Sequence, residues 1–108
     1  MLNHRIQGEG APVVLIHGLF GSLENLGAQA KYLAKHFQVI SVDLPNHGRS
    51  PHVDEMSLGS MAESVFALLD ELQIEKPLLV GHSLGGKVAM EMALSQPEGV
   101  RAVVVLDI

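Results

Sequence analysis

A serine set between glycines, where an apolar run meets a helical one, constrains this chain more than any other feature. Pro77-Leu78-Leu79-Val80 reads as a short buried strand. Lys87-Val88-Ala89-Met90-Glu91-Met92-Ala93-Leu94 reads as a helix, stopped by Pro97. Between them lies Gly81-His82-Ser83-Leu84-Gly85-Gly86, a G-x-S-x-G pattern. A chain that turns this sharply from strand to helix holds the serine in a strained conformation, with its hydroxyl pointing out of the turn. Gly81 and Gly85 remove the side chains that would collide there. The N–H of Leu84 opens the helix without an intrahelical acceptor and is free to face developing negative charge. The bland alternative is a strand–turn–helix junction with an ordinary turn serine.

The rest of the chain alternates in the same way. Leu2 and Ile6 flank polar residues in a loose alternation that fits an edge strand, and Gly8-Glu9-Gly10-Ala11-Pro12 is a turn. Val13-Val14-Leu15-Ile16 and Val39-Ile40-Ser41-Val42 read as strands buried on both faces. Ser22 is placed to cap a helix whose stripe is Leu26, Ala30, Leu33, Ala34 and Phe37. Ser57 is placed to cap another, with Leu58, Met61, Val65, Leu68, Leu69 and Leu72 on one face. Val103-Val104-Val105-Leu106 reads as a last buried strand, followed by Asp107 and Ile108. Strands alternating with helices of ten or more residues imply βαβ units and a parallel sheet.

Composition narrows the chemistry. Seven basic and twelve acidic residues give a net charge of −5, and the basic ones are scattered, which argues against a nucleic-acid partner. The chain has no cysteine, which excludes disulfides and thiol catalysis within it and fits a cytoplasmic protein. No apolar run is long enough to span a membrane, and no apolar stretch follows Met1-Leu2-Asn3-His4-Arg5 as in a signal peptide. Aromatic residues make up only 4% of the chain, so the core must be aliphatic, as buried parallel strands prefer. The glycines form neither G-x-G-x-x-G nor a Walker loop, and no histidine pair has i, i+4 ligand spacing on a helix. Neither a cofactor nor a metal is expected.

Each strand expected in the parallel sheet ends in polar punctuation: His17-Gly18-Leu19, Asp43, Gly81-His82-Ser83 and Asp107. In an open parallel sheet these carboxyl ends are where reacting groups gather. His-Gly-Leu-Phe-Gly-Ser at 17–22, Asp-Leu-Pro-Asn-His-Gly-Arg-Ser at 43–50 and Gly-His-Ser-Leu-Gly-Gly-Lys at 81–87 resemble the α/β-hydrolase superfamily, most of all the YbfF-type bacterial esterases. The resemblance implies a three-layer α/β/α fold with a mostly parallel sheet, and a serine hydrolase acting on carboxylic esters or acyl-CoA thioesters. It implies Ser83 as nucleophile, the N–H groups of Leu19 and Leu84 as oxyanion hole, and Asp107 as the triad acid. Phe20 and His82 fall in the substrate region. His17, Gly18, Gly81, Gly85, Asp43 and His47 fall among the residues that shape the site. Asp43 and Arg49 are expected to organise the loop that follows the second buried strand, with an ordinary surface ion pair as the alternative.

The base is missing from this pattern. The triad order is serine, acid, histidine, yet no histidine follows His82. His4, His36 and His52 read as surface residues. The last strand has nothing to cover the sheet edge it would leave. Residues 1–108 therefore read as the N-terminal portion of one α/β-hydrolase domain, without its cap region and later strands. They are either a fragment or one chain of a pair whose partner supplies the C-terminal half and the catalytic histidine. Two other readings remain: a non-catalytic α/β module, and a lyase or C–C hydrolase built on the same fold.

Overall fold

In the computed structural model, which describes residues 1–54 and 56–106, five strands form one sheet. They are β1 (His4–Gln7), β2 (Pro12–Ile16), β3 (Gln38–Val42), β4 (Leu78–His82) and β5 (Ala102–Leu106), in the spatial order β1-β3-β2-β4-β5. β1 runs antiparallel to β3, and the other neighbours are parallel. The helices are α1 (Gly27–Leu33), α2 (Leu58–Glu71) and α3 (Leu84–Ser95).

The continuous apolar strands make a layered core because successive side chains point to opposite faces. On one face Val14, Ile16, Ile40, Val42 and Leu79 pack against α2 and α3. On the other, Val13, Leu15, Val39 and Val80 pack against Leu26 and Ala30 of the α1 segment. The result is a three-layer α/β/α fold with a mostly parallel sheet. Among the described residues, no helix is long and apolar enough to cross a membrane.

Several elements differ from expectation. Ser22 does cap a helical turn, but it is a 3-10 turn over Leu23–Leu26 that leads into a short α1. The amphipathic stripe outlasts the helix: α1 ends at Leu33, while Ala34 and Phe37 pack against the same core cluster from the following turn. Ser57 caps α2 in a reciprocal pair with Ser60. The buried face of α2 is wider than its stripe, since Ala62 and Phe66 are also buried. Leu58, the first helical residue, stays exposed. β5 pairs with β4 alone among the described residues, which leaves Val104 43% exposed.

The register decides where the chemistry gathers. Ile16 lies opposite both Val42 and Gly81, and His82 opposite Leu106. The carboxyl ends of the four parallel strands are thus level, and the loops that follow them share one edge of the sheet.

Candidate active site

Ser83 sits between β4 and α3 with φ 55° and ψ −114°, a left-handed conformation that L side chains rarely adopt. The turn around it is jammed closed. A Cβ on Gly85 would collide with the carbonyl oxygen of Ile16, at the end of β2. A Cβ on Gly81 would collide with the backbone of Gly85, and one on Gly86 would press on Val105 at 2.7 Å. The start of α3 therefore rests directly on the ends of β2 and β5, and the elbow has no room to relax. The Ser83 N–H donates to the Leu106 carbonyl at 3.2 Å, while its own carbonyl accepts from the N–H of Gly86 at 2.9 Å.

The turn after β2 closes on this elbow. A Cβ on Gly18 would lie 3.3 Å from Ser83 Cβ and 3.1 Å from His82 Nδ1, so any larger residue would press the two loops apart by a few tenths of an ångström. The turn is tied by the Gly21 N–H donating to the Gly18 carbonyl, and Phe20 at its tip has φ 61°. Phe20 is 92% exposed and Leu19 is 53% exposed. Neither the Leu19 N–H nor the Leu84 N–H donates to a described residue. A cleft of about 500 Å³ opens beside the elbow. Leu19, Phe20, Asn25, His82 and Leu106 are among its walls, and among the described residues no Lys, Arg, Asp or Glu side chain lines it.

His17 is fully buried behind this turn. Its Nε2 accepts the Leu44 N–H at 3.0 Å, and an N–H donor there forces the ring proton onto Nδ1, which faces the Gly18 carbonyl at 2.7 Å. Burial, the largest influence, lowers its pKa, and the bond to Gly18 offsets this in part. His17 is therefore a neutral bridge with both nitrogens occupied. His47 is buried too, with Nδ1 on the Pro45 carbonyl and its ring centroid 5.1 Å from that of His17. His4 is half-buried, not on the surface as expected, and bonds the Leu2 carbonyl, while His36 and His52 are exposed.

Asp43 is buried, and its expected partnership with Arg49 takes a different form. It accepts the backbone N–H of Arg49 at 2.9 Å, not the guanidinium. It also accepts the Leu23 N–H at 2.7 Å and the Asn3 side chain at 2.8 Å. Arg49 itself is exposed. A buried carboxylate needs fixed donors close by, and three of them supply what a surface ion pair would not. Burial raises the carboxyl pKa, but the bonds from Arg49, Asn3 and Leu23 outweigh it, and the net shift is downward. Gly48, at φ 50°, leaves room for this carboxylate, since a Cβ there would strike it.

Sequence reasoning missed Asn25, Asn3 and Ser50. Asn25 Oδ1 accepts the Ser22 N–H at 2.6 Å and braces the turn beside Gly21. The S-x-x-N spacing from Ser22 was the available signal. Asn3 and Ser50 are bonded to each other and hold Asp43 from 40 and seven residues away, which no local pattern reveals. Asp107, the expected acid, lies outside the described residues.

Two predictions test this geometry. Gly85→Ala should lose ~3 kcal/mol or more of stability, or fail to fold, because the clash is with backbone. Chemical denaturation followed by circular dichroism reads this, and a midpoint equal to the wild type would contradict it. The second concerns acid. Asp43 has a lowered folded-state pKa, so its contribution is present above the unfolded carboxyl value and is lost as pH falls through the folded one. Asp43→Asn should cost about 1–3 kcal/mol at pH 7, a gap that narrows as the pH drops below about 4. A gap independent of pH would contradict this account.

Residues 11–108 match the family described as alpha/beta hydrolase fold. The chain is 41% identical over 102 residues to Esterase YbfF of Escherichia coli, covering 94% of this chain and 40% of that one. It is 45% identical over 104 residues to an sn-1-specific diacylglycerol lipase of Danio rerio, covering 94% of this chain and 33% of that one. A solved marine microorganism esterase superposes with a TM-score of 0.93 at 41% identity, over 96% of this chain and 40% of that one. The chain thus spans between a third and two fifths of the length of these relatives.

Proposed function

This chain belongs to the α/β-hydrolase fold family, and within it we propose that the segment carries the nucleophile and oxyanion hole of an enzyme that cleaves carboxylic esters. The observation that carries the reading is the strained Ser83, held beside two backbone amides, of Leu19 and Leu84, that donate to no described residue. Strain of this kind persists only where the surroundings impose it, and a serine at such an elbow is held with its hydroxyl turned out of the turn. The relatives named esterase and lipase supply the reaction class.

In the proposed reaction, Ser83 Oγ attacks the substrate carbonyl carbon and gives its proton to a histidine base. The carbonyl oxygen becomes the tetrahedral oxyanion and is held by the N–H groups of Leu19 and Leu84. Collapse expels the alcohol, which takes the proton from the base, and leaves the acyl group on Ser83. Water, deprotonated by the same base, then releases the acid. A thioester would follow the same path with a thiol leaving.

In this reading the base is not one of the histidines of this segment. His17 has both nitrogens bonded, and Nδ1 of His47 is bonded to the Pro45 carbonyl. His82 adjoins Ser83 and lines the cleft. In this reading the histidine comes from elsewhere in a longer protein or from a second chain. Asp107, directly after Leu106, orients it. Among the described residues no histidine is bonded to Ser83, which would hold for a non-catalytic module too, so turnover decides between the two.

The test is hydrolysis of p-nitrophenyl butyrate by the whole protein that carries this segment. Ser83→Ala should lower kcat by about 10⁴-fold or more. Equal turnover by the wild type and the variant would overturn the assignment of Ser83. A folded wild type without turnover would favour the non-catalytic module.

A further inference from the structure

The oxyanion turn is held from behind by a buried pair of imidazoles. His17 bridges two loops: Nδ1–H to the Gly18 carbonyl on the turn, and Nε2 from the Leu44 N–H on the loop after β3. His47, from that second loop, packs its ring at 5.1 Å and 50° to the ring of His17. Its own Nδ1 is anchored on the Pro45 carbonyl, so the ring is held in place. The loop that carries it is itself closed by Asn46, whose side chain accepts the Val53 N–H at 2.6 Å and donates to the Val53 carbonyl at 3.1 Å.

We propose that His47, acting on His17, is a positioning residue for the oxyanion turn, and that protonating His17 unlatches that turn. The proposal deepens the esterase reading and rests on it for what the turn does. Donor count sets the response of this pair to acid. A neutral His17 with its proton on Nδ1 satisfies both neighbours. A second proton must go on Nε2, where the Leu44 N–H already points. Two donors then face each other, and a charge is buried. The bond to Leu44 breaks, and of the two ties between the turn and the loop after β3 only the one from Leu23 to Asp43 remains. Gly18 and Leu19 then drift from Ser83 by distances that matter for an oxyanion hole.

Three titratable groups face or border this site. His47 faces the ring from the loop after β3, and its charge opposes a charge on His17. Asp43, at the start of that loop, favours the charge but is committed to Asn3, Leu23 and Arg49. His82 borders Gly18 from β4. Burial is the largest influence on His17 and resists protonation, so the latch holds at neutral pH and releases in acid.

The test does not need turnover. In ¹⁵N-labelled protein at pH 7, the His17 ring should show the neutral form protonated on Nδ1. As the pH is lowered, the Leu44 and Leu19 amide signals should move together with the His17 ring, with a midpoint below the 6.5 of an ordinary histidine. His47→Gln removes an opposing charge and should shift that midpoint upward. A merely structural His47 would leave it in place. A ring protonated on Nε2 at pH 7, a Leu19 amide that ignores the His17 titration, or an unmoved midpoint in His47→Gln would each overturn the proposal. Should His47→Gln fail to fold, the wild-type titration alone decides. Failure of the esterase reading would show instead as turnover unaffected by Ser83→Ala, which leaves this titration untouched.

Discussion

The contact between Gly85 and the carbonyl end of β2 is what the site depends on. Helix α3 can start where it does only because no side chain stands between it and the Ile16 carbonyl. That close seating pulls the chain through the turn at Ser83 and imposes its left-handed backbone. It also leaves the first amide of the helix facing outward rather than into a preceding turn. Strain on one residue is thus maintained by packing across three strands, and the apolar sheet on either side of Ile16 provides the rigidity for it.

A second set of contacts holds the opposite side of the cleft, and it is polar where the first is steric. Asp43 gathers Leu23, Arg49 and Asn3, while His17 joins Leu44 to Gly18. Both groups are buried and both are fully engaged, as such groups must be. Their shared effect is to join the loops after β2 and β3 into one body. The turn bearing Leu19 and Phe20 is closed by its own Gly21–Gly18 bond and positioned by that body. Phe20, at positive φ and nearly fully exposed, is the price the turn carries for facing the cleft.

Much of this was legible in the sequence, because the decisive features are backbone features written in glycine, serine and β-branched residues. The continuous runs 13–16 and 39–42 read as two-sided strands, and G-x-S-x-G read as the elbow. What failed to read was what depends on distant neighbours. The stripe through Phe37 looked like a longer helix because a turn can keep the same face on the core. Asp43 and Arg49 read as organisers of their loop, with a surface ion pair as the alternative, but the sequence does not show which atoms meet. The carboxylate is instead buried among backbone amides, while the guanidinium stays in solvent. Asn3 is 40 residues from Asp43 and gave no signal at all.

The central claim is that Ser83 is an activated nucleophile, and the most direct measurement is covalent. The whole protein that carries this segment would be treated with a fluorophosphonate, which reacts readily only with an activated serine, digested, and mapped by mass spectrometry. The account predicts a single phosphonylated peptide containing Ser83, formed at the rate of a working serine hydrolase and absent from Ser83→Ala. An unmodified Ser83 in folded protein, or a label on another residue, would contradict it.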